Sequence, residues 1–220
     1  MGGDEHVASW IANKLKDDKK FSSVDPIGDG FLEVAPKDHV PFQAVAIGVQ
    51  DVIGEDHVAP LFEVKGRRPE FVVNVPSKAI WAGAAIDLVH ATPAAFGTFG
   101  ELIRASTRDE PVHTYRNKEY SFFERAFRQH TAVREVTRLY DKAYELHRWR
   151  GLPKITVVLV DAYDVSAEDI RRVRDLYGKF DAAVKMTSYG SITTASREAA
   201  DSIGAGVFKF GEFLGRLNKP

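Results

Sequence analysis

The sequence predicts an α/β fold: a largely parallel sheet flanked by helices, with an N-terminal antiparallel strand meander and one long central helix. Three observations carry this. Between 155 and 217 the apolar runs ITVVLV, AAVKM and GVFKF alternate with helix-length segments of 3.6-residue periodicity, the pattern of βαβ crossovers. Between 24 and 75 short β-like runs are punctuated by Pro, Gly and Asp. Between them, apolar residues recur at three- and four-residue intervals from 119 to 149.

Taken in order, Val7, Trp10, Ile11 and Leu15 are spaced for an amphipathic opening helix, and KLKDDKK solvates its last turns. The runs GFLEVAP, FQAVAIGV, APLFEVKG and FVVNV read as strands of a meander. SKAIWAGAAIDLVH reads as a helix with Ser77 at its N-cap, followed by a short strand AAFGTF and a helix beginning GELIRAS. The stretch 119–149 reads as one helix, with Phe123, Phe127, His130, Val133, Val136, Leu139, Ala143 and Leu146 recurring at three- and four-residue intervals along one stripe. At about 1.5 Å per residue it would overrun a small sheet, so the expectation is homo-oligomerisation through it. Arg125, Arg128, Arg134, Arg138 and Lys142 lie on its other faces, as a solvated surface or a nucleic-acid contact. Farther on, Ser166 with Asp169 forms a capping-box start, Ser191 precedes another helix, and Gly204 ends it.

A displacement of 111 positions places Val73 on Val184, Ser77 on Ser188, Ala84 on Ala195 and Phe99-Gly100-Glu101 on Phe210-Gly211-Glu212. The chain is read as one domain, 1–220, in which this is either an internal duplication with half-repeats 1–110 and 111–220, or two βαβα passages of one sheet.

Composition narrows the function. At 220 residues and 44% apolar content the chain can bury a full core. A formal charge of -1 gives no global attraction to nucleic acid, so such binding needs a local patch. With no cysteine there is no disulfide, thiolate metal site or cysteine nucleophile. No apolar run approaches the ~20 residues that span a bilayer, and the acidic start MGGDEHVASW is unlike a signal peptide, so a cytoplasmic protein is expected. Dinucleotide, Walker A, HExxH and GxSxG signatures are absent.

Within PLFEVKG, a strand would point Glu63 and Lys65 to the same face. A carboxylate that holds Mg²⁺ beside a lysine that orients water suits phosphodiester cleavage. The motif resembles the E-x-K half of the PD-(D/E)xK nuclease superfamily, and the segment from Tyr177 to Leu217 resembles the closing portion of Mrr-type restriction endonucleases. The resemblance implies Mg²⁺-dependent hydrolysis of nucleic acid. Glu63 and an upstream acid on a neighbouring strand would be the metal ligands, and Lys65 the activating base. The family's acid lies across the ladder from the Glu; Asp51 falls too far along its strand, which leaves Asp29, between Gly28 and Gly30.

A competing site lies where ligands bind open parallel sheets, beyond the carboxyl ends of the strands. Those ends carry Asn74, Ser77, Asp161, Asp164, Ser188, Tyr189 and Ser191. They suit a non-catalytic module that binds a phosphorylated small molecule or a partner protein. A third expectation is a degenerate nuclease fold that only binds DNA.

Overall fold

The computed structural model describes residues 3–76 and 78–219. They form two compact units, Met1–Asn117 and Lys118–Pro220. In the first, helix α1 (Glu5–Leu15) leads into the antiparallel strands β1 (Phe21–Gly28), β2 (Phe31–Pro36) and β3 (Phe42–Ile47). A two-residue strand β4 (Val52–Ile53), a single turn α2 (Glu55–Val58) and a 3-10 turn (Ala59–Phe62) follow. Next come β5 (Phe71–Asn74), β6 (Ile80–Trp81), α3 (Gly83–Ala91), β7 (Ala95–Thr98) and α4 (Phe99–Ser106). The sheet order is β1-β2-β3-β5-β7, with β3, β5 and β7 parallel. Ile11 and Leu15 of α1 and Leu102 of α4 fill one face, and Ile86 and Val89 of α3 fill the other.

The second unit repeats this plan. Helix α5 (Lys118–Gln129) precedes the antiparallel β8 (Val133–Tyr140), β9 (Ala143–Arg148) and β10 (Ile155–Val160). Then come α6 (Ala167–Tyr177), β11 (Ala182–Lys185), α7 (Thr194–Asp201), β12 (Gly206–Lys209) and α8 (Phe210–Arg216). The order is β12-β11-β10-β9-β8, with β10, β11 and β12 parallel. Bulges coincide as well: β1 breaks register at Phe21/Ser23 and Pro26/Gly28, and β8 at Val133/Glu135 and Arg138/Tyr140, 112 positions on. The β4–β6 ladder has its counterpart in the isolated parallel bridge Val165↔Ile192.

Three expectations are corrected. The sheets are mixed rather than largely parallel, because each opens with a meander before its crossovers. The helix expected over 119–149 stops at Gln129, and β8 and β9 follow. The cause is the bulges, which shift the alternation so that Val133 and Val136 are buried three residues apart and mimic a helical stripe. The oligomerisation surface drawn on that helix is therefore not formed as expected. Finally, PLFEVKG is a 3-10 turn that runs into bends and a turn. Pro60 prevents α2 from continuing as the eleven-residue α6 does, and Leu61, Phe62 and Val64 pack against α3 as turn residues rather than as a strand. Ser77 lies outside the described residues. Among those residues no helix is long and apolar enough to cross a membrane.

Candidate functional site

Off the strand, Glu63 and Lys65 are both exposed and share no strand face. Asp29 is the tip of the β1–β2 hairpin, at φ 54 between Gly28 and Gly30, with its side chain exposed. The sharp tip is required because the N-terminal segment crosses it: a Cβ on Gly30 would stand 2.2 Å from the Gly3 carbonyl carbon. The loop that carries Glu63 and Lys65 is tethered to this hairpin through Arg67, which donates to the Ile27 carbonyl and lies 5.7 Å over the Phe31 ring. Hairpin and loop are neighbours, yet no group of three His, Asp or Glu side chains able to hold a metal ion occurs among the described residues.

A metal-dependent nuclease of the resembled kind needs acids facing each other on adjacent strands, with a lysine two residues along. The ladder shows which side chains hold those places. In the first unit Glu33 on β2 faces Gln43 on β3, and Val45 follows two residues on. In the second, Glu145 on β9 faces Thr156 on β10, followed by Val158. Both valines are fully buried. The Gln43 side-chain Oε1 already accepts the Arg68 backbone N–H at 3.0 Å. The Glu145 carboxylate is engaged by Lys154 Nζ at 2.6 Å and His147 Nε2 at 2.9 Å, and the Lys154 hydrogen bond holds it below the usual carboxylate range. Mg²⁺ demands a near-octahedral shell of oxygens. In the first unit Glu33 also faces Asp25 on β1, and in the second Glu145 also faces Thr137 on β8; no lysine follows two residues beyond any of these positions, and no third ligating side chain joins the Asp25–Glu33 pair among the described residues, so neither ladder offers that shell.

The carboxyl ends of the parallel strands gather most of the other predicted residues. Asn74, 3% exposed, closes β5: its side chain accepts the Val49 N–H and donates to the Val49 and Pro76 carbonyls at 3.0–3.1 Å. At the equivalent end of β11 stands Lys185, 1% exposed, whose ammonium donates to the Ala162 carbonyl at 2.6 Å. Burial pushes its pKa down, opposed by Asp164 and Asp161. Both side chains tie down the loop that leaves the neighbouring strand. Asp164 accepts the Ser191 N–H and Oγ–H, each at 2.7 Å, and those bonds hold its carboxyl below the usual range. Ser191 is thus a loop stitch; Thr193 is the N-cap of α7. Gly190 makes the stitch possible, since at φ 74 a Cβ there would stand 1.8 Å from the Tyr163 carbonyl oxygen.

Asp161 lines a cleft of about 270 Å³ with Lys118, Glu119, Phe122, Phe123, Met186 and Thr187. Ser188 and Tyr189 are exposed on the adjoining loop. The cleft is slightly below the ~300–1,000 Å³ of typical ligand pockets. With Ser191 spent on Asp164 and both Glu119 and Asp161 acidic, it offers little to a phosphate.

Reading the sequence did not single out Glu33, Gln43, Glu145 or Lys185. The signal was present: Glu33 and Glu145 are 112 positions apart. The displacement of 111 that aligns the later strands breaks before them, because the connection leading into β10 is one residue longer than that into β3 and the connection from β10 to β11 is two residues shorter than that from β3 to β5. Compared with family models, curated proteins and solved structures, the chain matches none.

Proposed function

We propose that the chain is a tandem of two restriction-endonuclease-like modules that binds nucleic acid without cutting it. The observation that carries this reading is the ladder pairing of Glu33 with Gln43 and of Glu145 with Thr156, with valine at each lysine place. The second half keeps a single acid at these positions, and although Glu33 of the first also faces Asp25, neither half follows these positions with a lysine, where hydrolysis needs an acid pair and a base. Charge supports binding by the second half. Residues 118–220 hold 18 Lys and Arg against 14 Asp and Glu, net +4, whereas residues 1–117 hold 12 against 17, net -5. The overall -1 conceals this asymmetry, and a net positive module is drawn to phosphate backbones.

Labelled single- and double-stranded DNA and RNA, incubated with the protein in Mg²⁺ or Mn²⁺, test the reading. Anisotropy should report saturable, salt-sensitive binding while denaturing gels show intact strands. Cleavage that disappears in Glu33→Gln or Glu145→Gln would overturn it.

A further inference from the structure

The turn between β9 and β10 has an unusual construction. Its central residues, Arg150 and Gly151, sit at φ 61 and 68, and the Leu152 N–H donates to the Trp149 carbonyl at 3.3 Å. Two central residues at positive φ define a type I′ turn, whose first position favours Asn or Asp because other side chains crowd the following carbonyl. An arginine is held there in a conformation that an asparagine would adopt more easily. Backbone strain of this kind collects where a side chain is needed for something other than folding.

The surroundings indicate what that is. Trp149, beside Arg150, is 51% exposed, the most open of the three tryptophans. The Arg134 guanidinium lies 6.0 Å from its ring centroid. Exposed Lys154 closes the turn. Neither Arg134 nor Arg150 has a carboxylate partner among the described residues, and Lys154 has Glu145. The platform is rigid from below: buried Arg148 donates to the Pro153 carbonyl at 2.7 Å and to the Leu217 and Lys219 carbonyls at 3.1 and 2.6 Å. That ties the base of the turn to the end of α8. Trp149 itself is fixed by its N–H to the Ala132 carbonyl at 2.9 Å.

We infer that the β9–β10 turn is a binding surface for single-stranded nucleic acid, with an unpaired base stacked on Trp149 and the backbone phosphates on Arg134, Arg150 and Lys154. An exposed aromatic face flanked by cations binds single strands because every unpaired base offers a π-face, and a duplex keeps its bases stacked on one another. The corresponding turn of the first unit, 37–41, reads KDHVP and carries no tryptophan, tyrosine or phenylalanine. This inference rests on the nucleic-acid-binding reading and assigns it a location.

The test is anisotropy with a labelled 20-nucleotide single strand, on the full chain, across a salt series. Arg150→Asn should fold at least as stably as the wild type, yet bind more weakly and reduce the slope of log affinity against log salt by about 0.7. Trp149→Ala should lower affinity about tenfold and remove the binding-induced quenching of tryptophan fluorescence, and Trp149→Phe should restore most of the affinity. Wild-type affinity in both Arg150→Asn and Trp149→Ala would overturn the inference and leave the binding reading intact. Absence of binding by the wild type to any nucleic acid at low salt would overturn both. Equal affinity for poly-glutamate, or tighter binding of duplex than of single strand, would overturn the single-strand assignment alone.

Discussion

The two units share a frame and differ in what they place on it. Helices α1 and α5 cover the same sheet face, but Ile11 and Leu15 of the first correspond to Phe123 and Phe127 of the second. The hairpin tip is exposed Asp29 in one and half-buried Asp141 in the other. The end of the middle parallel strand carries neutral Asn74 in one and charged Lys185 in the other. The turn after the second strand is KDHVP in one and WRGLPK in the other. The common features are those that hold a mixed five-stranded sheet together, and the variable ones lie at its ends and turns. Fold and function are therefore separable within one chain.

The largest expected effect tests the two helical faces. Phe127 is fully buried, with rings of Tyr144, Phe210 and Phe213 within 6.3 Å, so Phe127→Ala should destabilise the protein by ~3–5 kcal/mol in urea unfolding. Leu15→Ala, at the matching place in the first unit, should cost ~2–5 kcal/mol. A loss below 1 kcal/mol at either position would show that its unit does not depend on that helix.

The hairpin tips come next. Burial raises the Asp141 carboxyl from 3.8 to about 6, only partly opposed by Lys142 and by the Tyr177 hydroxyl, which donates to it at 3.1 Å. The folded state thus binds this proton more tightly than the unfolded state. The contribution of this group to stability is fully present below about pH 4 and is lost as pH rises through 6, by up to ~3 kcal/mol at 1.36 kcal/mol per unit. Asp141→Asn keeps the acceptor for Tyr177, so it should raise the unfolding free energy at pH 7 and flatten its slope between pH 4 and 6. Asp29→Asn, at the exposed tip, should change stability by less than ~0.5 kcal/mol. An Asp141→Asn variant no more stable than wild type at pH 7 would remove this distinction between the hairpins.

A smaller effect separates the strand ends. Asn74→Ala strands the Val49 amide and two carbonyls and should cost ~2 kcal/mol. Lys185→Met loses one hydrogen bond but relieves a buried charge, and should stay within ~1 kcal/mol of wild type. Equal losses would mean that the two side chains do the same work despite their charge.

Much of this frame is legible in the sequence, for physical reasons. The βαβ crossovers from Ile155 onward have uniform apolar strands and capped helices such as Ser166–Asp169, and they fold as their pattern indicates. The bulged β8 does not, because two register breaks convert a period of two into a spacing of three. PLFEVKG misleads because an apolar run beside a proline fits a buried turn as well as a strand. The candidate site was harder still. Glu33 with Gln43, and Glu145 with Thr156, become partners only through cross-strand register, which no local pattern encodes. The helix expected over 119–149 ends on Trp149, just short of Arg150, so neither the turn nor its strain is foreseen.

The most direct test of the account is photo-cross-linking of the full chain to a single-stranded oligonucleotide that carries halogenated uracils, followed by mass mapping of the joined peptide. Cross-links are expected within residues 148–154, with intact nucleic acid recovered in the presence of Mg²⁺. Cross-links confined to residues 1–117, or cleaved nucleic acid, would contradict it.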